Sequence, residues 1–285
     1  MEIIKSLEKI HFNEIYATFS EAFKEYEVQI DKDELQTMLQ RRGYVPELSF
    51  GAFKDHQLVA FTFNGIGMYH GVKTAYDTGS GTIKAYRGQG LITKIFNHSL
   101  PFLKEAGVSH YLLEVLQHNT QAVSLYKDLG FKVCREFNYF LEPKESITLL
   151  HEIKDPTHQI KPIGLSSLKE INDFWDFNPS WQNSMEAIER RPENFKMLGL
   201  FREQKMKGYC ILEPNSGDIA QIAVDKDYRR KGVGSLLLRE ILKYNQSNTV
   251  KLINSERGCN SITSFLDKHA MTPKGMQYEM VKTLE

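Results

Sequence analysis

Apolar positions in this chain follow two periods, and the order in which the periods alternate occurs twice. In the first half, Ile3–Leu7 reads as a short strand. Phe12–Glu25 reads as a helix because Phe12, Ile15, Tyr16, Phe19 and Phe23 recur at three- and four-residue spacing. Asp33–Gln40 reads as a second helix, with Asp31 and Asp33 placed to cap it. Leu48–Phe53, Gln57–Phe63 and Thr74–Ile83 alternate or run apolar, as strands do. A Gly-rich bend at Gly88–Gly90 opens a helix to about Lys104. Pro101 removes a backbone donor from that helix and predicts a kink or break near Leu100. Val108–Leu116 is an apolar strand, and Thr120–Leu129 is a helix ended by Gly130. Phe131–Val133 and Asn138–Leu141 read as closing strands.

The second half repeats the order. Gln159–Ile163 reads as a strand, and Leu168–Phe177 and Met185–Arg190 as helices. Lys196–Phe201, Gly208–Leu212 and Ile219–Val224 read as strands. Gly232 and Gly234 open a helix to about Tyr244. Val250–Asn254 reads as a strand, Ile262–His269 as a helix, and Gln277–Lys282 as a last strand. A repeat this long is a duplicated domain rather than a solenoid, and 285 residues suit two domains of about 150 each. Pro143 and Pro156 bracket a stretch poor in helix signals. The expected organisation is a first domain at 1–143, a linker at 144–157 and a second domain at 158–285.

Composition removes several classes. Lys+Arg and Asp+Glu each number 36, for a formal net charge of +0. No basic excess argues for nucleic acid, and no acidic tail argues for a solvated arm. The His residues are scattered, with no pair at helical zinc-ligand spacing around a Glu. Cys134, Cys210 and Cys259 are odd in number and far apart, so they build no disulfide framework and suit free thiols in a reducing cytoplasm. The N-terminal run lacks a basic patch followed by a long apolar stretch, so no secretory signal is expected. No run of about 18 apolar residues exists, so no membrane span is expected.

The stretch Ala75–Gly90 carries two signatures. Asp77-Thr78-Gly79-Ser80 matches the tetrad of an aspartic protease, but that chemistry needs a second aspartate to share one proton. The matching stretch of the second half has no such triplet, and the alternation of helices and strands is wrong for that all-β fold. Asp77–Ser80 is therefore expected to be a strand with a bulge or close backbone approach, which Gly79 and Gly81 invite. The other signature is Arg87-Gly88-Gln89-Gly90-Leu91-Ile92, matched in the second half by Arg229-Arg230-Lys231-Gly232-Val233-Gly234. Each follows an apolar strand and opens a helix. Unpaired N–H groups and the positive dipole end at such a helix start attract a pyrophosphate, and the leading Arg could add a charge-assisted contact. Neither loop has the third Gly of a dinucleotide fingerprint or the Gly-Lys-Ser/Thr of a P-loop.

These loops resemble the Gln/Arg-x-x-Gly-x-Gly/Ala pattern of the GNAT superfamily of N-acetyltransferases, which bind acetyl-coenzyme A. The second copy matches throughout. The first departs at Ile92, which is expected to crowd the diphosphate. The family's Asn-x-x-Ala-x-x-x-Tyr and following Gly-Phe are matched by Asn119, Ala122, Tyr126, Gly130 and Phe131. In the second half Cys259 and Leu266 stand at the Asn and Tyr positions, and Ala270-Met271 replaces Gly-Phe. The resemblance implies an α/β fold of two tandem modules, each a mixed, largely antiparallel sheet with a splayed central strand pair flanked by helices. It implies that loop amides in both copies hold the diphosphate. It also implies that backbone groups at Ser80, Thr82 and Ile83, and at Ile222 and Val224, hold the pantetheine arm, with Asn119 nearby. Tyr126 would protonate the leaving thiolate, a transfer that suits a phenol of pKa about 10.

The attacking amine must lose a proton, so a base is needed. Glu114, a carboxylate in the apolar run "YLLEVLQ", is the leading candidate, and Asp77 is the other. Trp175 and Trp181 either line an amine pocket or pack the core, and His118 reads as a surface loop residue. The expected activity is acetyl transfer from acetyl-coenzyme A to a primary amine of a small molecule or peptide, with catalysis in the first half. The rival reading is a non-catalytic acyl-coenzyme A sensor or assembly module.

Overall fold

The computed structural model describes residues 2–26, 29–149, 157–168 and 171–284. The expected linker thus falls partly outside the described residues. Its first part, Lys144–Ser146, is a 3₁₀ turn, and Ile147 is buried in a core cluster with Leu198 and Leu238.

The chain divides into two compact units. One comprises the residues up to Val115, Asn119–Cys134 and those from Tyr278 on. The other comprises Leu116–His118 and Arg135–Gln277. These are not the contiguous segments 1–143 and 158–285, because the first unit takes its last strand from the residues past Gln277 and the second begins its main run at Arg135.

The first unit runs β1 (Glu2–Ser6), α1 (Phe12–Ala22), α2 (Lys32–Arg41), β2 (Phe50–Lys54), β3 (Gln57–Tyr69), β4 (Val72–Thr82), α3 (Leu91–Glu105), β5 (His110–Leu116) and α4 (Thr120–Asp128). The next strand, β6 (Lys132–Pro143), passes into the second unit from Arg135 onward. Strands β1 to β4 pair antiparallel in chain order, and β4 pairs β5 in parallel. The end of β12 (Pro273–Thr283) flanks β5, and the amide of Leu284 donates to Ser109 O at 2.8 Å. Ile15, Leu35, Leu39, Phe61 and Phe63 bury α1 and α2 on one face. Leu91 and Ile95 bury the first half of α3 against Phe50, Ala52, Val59 and Ala60.

The second unit adds β7 (Gln159–Pro162), α5 (Met185–Glu189), β8 (Lys196–Arg202), β9 (Lys205–Glu213), β10 (Asp218–Val224), α6 (Val233–Leu242), β11 (Thr249–Glu256) and α7 (Asn260–Lys268). Its sheet order is β6-β11-β10-β9-β8-β7, with only the β10–β11 pair parallel. Each unit is thus a mixed, largely antiparallel sheet with one parallel pair at its centre, as expected.

Three expectations are corrected. Helix α3 runs unbroken through Pro101. Both Pro101 and Asn97, whose carbonyl loses its helical donor, lie exposed, so solvent can reach that carbonyl and the helix continues without a break. Among the described residues, the stretch expected as a helix at Leu168–Phe177 holds 3₁₀ turns, at Leu165–Leu168 and Asn172–Phe174. Leu165, Leu168, Ile171 and Phe174 all pack on one cluster, and their three-residue spacing fits three residues per turn rather than 3.6. Finally, the expected strands Phe131–Val133 and Asn138–Leu141 are, from Lys132 on, the single strand β6.

Candidate functional site

In both units the parallel strand pair opens partway. Strands β4 and β5 are in register from Thr74↔His110 to Tyr76↔Leu112 and no further. For β10 and β11 the register is Asp218↔Lys251 alone. Each opening coincides with a β-bulge on the first strand. Thr78 is the extra residue between Asn64↔Asp77 and Phe63↔Gly79, and Ala220 is the extra one between Ile219↔Leu212 and Gln221↔Ile211. A bulge twists its strand out of the ladder, which starts the divergence. Thr78 and Ala220 precede Arg87 and Arg229 by the same distance, so the two sites are built to one plan.

Each opened strand ends in a 3₁₀ turn and a loop that delivers a helix start. The loop passes twice through the left-handed region, at Gly88 (φ 76°) and Gly90 (φ 69°), and at Arg230 (φ 59°) and Gly232 (φ 81°). A Cβ at Gly88 or Gly90 would meet no atom, so these glycines serve conformation rather than space. Helices α3 and α6 begin with no side-chain cap. The amides of their first turns are therefore available to an anion. By strand alternation the amides of Ser80 and Thr82, and of Ile222 and Val224, face the open side. The intervening direction is taken: Ile83 donates to Val59 O at 2.9 Å, and Asp225 to Lys207 O at 3.0 Å.

In the second unit the opening is an apolar cleft of about 430 Å³. It lies between Ile222–Val224, Leu252–Asn254, the α6 start and Phe265 of α7. At its rim Trp175 Nε1 donates to Tyr209 Oη at 2.6 Å, Tyr209 to Gln221 Oε1 at 2.7 Å, and Gln221 Nε2 to Asn183 O at 2.6 Å. Burial pushes the Tyr209 hydroxyl well up, which keeps it neutral as a member of this chain. Asn254 bends β11 by adopting φ 59°, and it is held by Ser180 and Gln277 at 2.9 and 2.8 Å.

A family model for the acetyltransferase (GNAT) family matches residues 12–131 and again 163–256. The chain belongs to the GNAT acetyltransferase family. The N-alpha-acetyltransferase 30 of Schizosaccharomyces pombe is 32% identical over 98 residues, which are 34% of this chain and 65% of that protein. The N-alpha-acetyltransferase MAK3 of Arabidopsis thaliana is 28% identical over 130 residues, 45% of this chain and 68% of that one. A solved tandem GNAT protein from the clavulanic acid biosynthesis pathway superposes with a TM-score of 0.76 at 9% identity, covering 100% of this chain and 99% of that one. At that identity the likeness speaks for the fold.

The two GNAT modules use their leading arginines alike, spending the donors on protein acceptors. Arg87 donates from Nε to Thr82 O (3.2 Å), from Nη2 to Ala22 O (2.8 Å) and from Nη1 to Glu25 (3.1 Å). Arg229 donates from Nε to Val224 O (3.2 Å), from Nη2 to Phe174 O (2.9 Å) and from Nη1 to both Asp176 oxygens (2.8 and 3.0 Å). Each guanidinium clamps the strand end to the segment above it. Hydrogen bonds from Ser261 and Arg229 outweigh burial and hold the Asp176 carboxyl below its usual range. Arg229, Arg230 and Gly232–Ser235 all line the cleft. The Lys231 ammonium is turned back onto Asp227 O at 2.8 Å. Ile92 packs on the cluster around Phe50 and Ala60. Its counterpart Gly234 is tight: a Cβ there would sit 3.0 Å from the Phe265 ring.

The motif after the parallel pair also lands as aligned. Asn119 caps α4, accepting from the Ala122 amide at 3.2 Å, and Cys259 holds the same place before α7 without a side-chain cap. Leu266 is fully buried in the second core. Tyr126 is half-buried, and its hydroxyl donates to Asp77 Oδ2 at 3.0 Å. Glu114 Oε2 accepts from Tyr76 Oη at 3.0 Å, which engages one of its oxygens within the strand pair. The tryptophans divide: Trp181 is buried in packing, whereas Trp175 lines the cleft. Sequence reasoning missed the Trp175–Tyr209–Gln221 chain and the pairing of Ser235 Oγ with His269 Nε2 at 2.9 Å beneath the α6 start. Residues this far apart in sequence leave no spacing signal.

Proposed function

We propose that the chain transfers an acetyl group from acetyl-coenzyme A to a primary amine, with chemistry in the first module. The observation that carries this is the repeated device of an opened parallel pair ending in an uncapped helix start, joined in the first module to a half-buried tyrosine at the opening. Acetyl-coenzyme A supplies the acetyl group as a thioester. The α3 and α6 first-turn amides are suited to its diphosphate, and the outward amides of Ser80 and Thr82, or Ile222 and Val224, to its pantetheine arm. The apolar cleft of the second module and its tight Gly234 fit such an arm. Tyr126 acts as the general acid, and a carboxylate, Glu114 or Asp77, takes the amine proton. The two named relatives acetylate α-amines by their names, which favours a peptide N-terminus as acceptor.

The test is incubation with acetyl-coenzyme A and a panel of peptides and small primary amines, with released thiol read by a thiol reagent. Acceptor-dependent thiol release supports the reading. Calorimetric binding of acetyl-coenzyme A with no release for any amine refutes it and favours a non-catalytic acyl-coenzyme A sensor. One observation speaks for that second role in the second module: Leu266, buried in its core and carrying no proton, takes the position that Tyr126 holds in the first module.

A further inference from the structure

We propose that Asp77 is the catalytic base of the first module and returns the proton it takes through Tyr126, so that base and acid form one relay. This rests on the acetyltransferase reading above.

Asp77 is the first residue of β4 beyond the register with β5, next to the bulge at Thr78. Its carboxylate is held by three donors. Gly79 N gives to Oδ1 at 2.9 Å, while Ser80 Oγ and Tyr126 Oη reach Oδ2 at 2.8 and 3.0 Å. Ser80 is itself anchored on Thr62 Oγ1 at 2.9 Å. Asp77, Ser80 and Tyr126 are all half-buried, so the triad sits at the opening rather than inside the core.

The ground state contains a conflict that the relay resolves. Tyr126 has one hydroxyl proton, and it points to Asp77. Giving that proton to a departing sulfur would leave a phenolate beside a carboxylate, and burial with the Asp77 charge already pushes the Tyr126 hydroxyl well up. Tyr126 is a poor acid while Asp77 is ionised. Once Asp77 is protonated, it donates to Tyr126 Oη and frees the phenolic proton. The balance is complete. The amine nitrogen forms its bond to the acetyl carbon and loses a proton to Asp77 Oδ2. The carbon–sulfur bond breaks with its electron pair going to sulfur. Tyr126 gives its proton to sulfur and receives one from Asp77. Both side chains end as they began, and one proton has moved from amine to thiol. Burial raises the Asp77 carboxyl above its usual range, against the lowering by Ser80, Tyr126, Gly79 and Arg42, which suits a base that must hold a proton briefly. Other groups face the site as well: Arg42 after α2, Tyr76 on β4, and Tyr111 and Glu114 on β5. Glu114 is the weaker candidate because its Oε2 accepts from Tyr76, whereas Tyr126 donates to Asp77.

Two readouts test this. With an amine that the wild-type protein acetylates, Asp77→Asn should lower kcat at least about 100-fold with little change in KM for acetyl-coenzyme A. Asp77→Asn/Tyr126→Phe should lose no more than the worse single variant, as parts of one relay do. A wild-type-like Asp77→Asn, multiplicative losses, or a collapse in Glu114→Gln alone overturns the relay and leaves the acetyltransferase reading standing. A wild-type protein silent on every amine overturns both. The second readout needs no ligand. The Asp77 carboxyl, followed by carbon NMR, should titrate at higher pH in Tyr126→Phe, because a donor to the carboxylate is gone. An unmoved midpoint refutes the coupling, and assignment through Asp77→Glu keeps this arm decisive where Asp77→Asn fails to fold.

Discussion

Arg229 invites two incompatible accounts, and one substitution separates them. A leading arginine of a diphosphate loop is expected to act through its charge. In the structure its fork instead ties Val224 O, Phe174 O and Asp176 together at 2.8 to 3.2 Å. The Arg229 and Asp176 side chains are only 28% and 29% exposed. Hydrogen bonds to charged groups contribute about 1.5–3 kcal/mol each. Three partners would give more than about 5 kcal/mol, but water reaches Asp176 once the fork is gone. A net cost of about 3 kcal/mol is therefore expected for Arg229→Met. For a unit of this size that lowers the melting transition by on the order of 10 °C. Lys keeps the charge but cannot span three acceptors in one plane. Arg229→Lys should therefore lose nearly as much stability as Arg229→Met, and both should weaken coenzyme A binding because Phe174 and Asp176 border the cleft. The assays are thermal melts and coenzyme A titrations at low and high salt. If Arg229→Lys binds coenzyme A like wild type and melts within about 1 °C of it, the clamp account fails and the charge account stands.

Further outcomes follow from the same geometry. Tyr126→Phe should cut turnover by about 100-fold or more without shifting the melt strongly. Leu266→Ala should instead leave a cavity in the second core and cost about 2–5 kcal/mol in a denaturant melt, with Leu266→Met much milder. Gly234→Ile, which copies Ile92 of the first module, must push on Phe265 from a Cβ already 3.0 Å away, and should weaken coenzyme A binding to the second cleft at least about tenfold by calorimetry. Burial holds the His269 ring below its usual value, against the bond to Thr148 O. The folded state then resists protonation more than the unfolded chain does, so stability falls as pH drops below about 6.5 toward the lower folded value. His269→Gln should flatten that slope between about pH 7 and 5 in urea titrations.

Much of the site was legible along the chain. Paired loops at matching positions, an Asp-Thr-Gly run too small for a regular strand, and Asn119 with Tyr126 at helical spacing all pointed to their places. These signals are local: a left-handed turn needs Gly or a tolerant residue, a bulge favours small ones, and a cap needs a side-chain acceptor. The helix expected at Leu168–Phe177 was misplaced because Leu168, Ile171 and Phe174 recur at a spacing of three, close to the helical 3.6, and only the core they pack on distinguishes the two. The break expected at Pro101 does not occur, because the cost of a lost bond depends on whether water can replace it.

By itself, then, the sequence determined most of the order of elements and the two anion-ready helix starts, because each depends on residues within a turn or two of one another, and the duplication, because both halves repeat one pattern. Only the tertiary structure decided which unit each final strand completes, where Arg87 and Arg229 spend their donors, and that Tyr126 meets Asp77. Alternation tells a strand which face is apolar, but not which sheet will take it. A hydrogen bond between residues 49 apart exists only once the backbone has brought them to 3.0 Å.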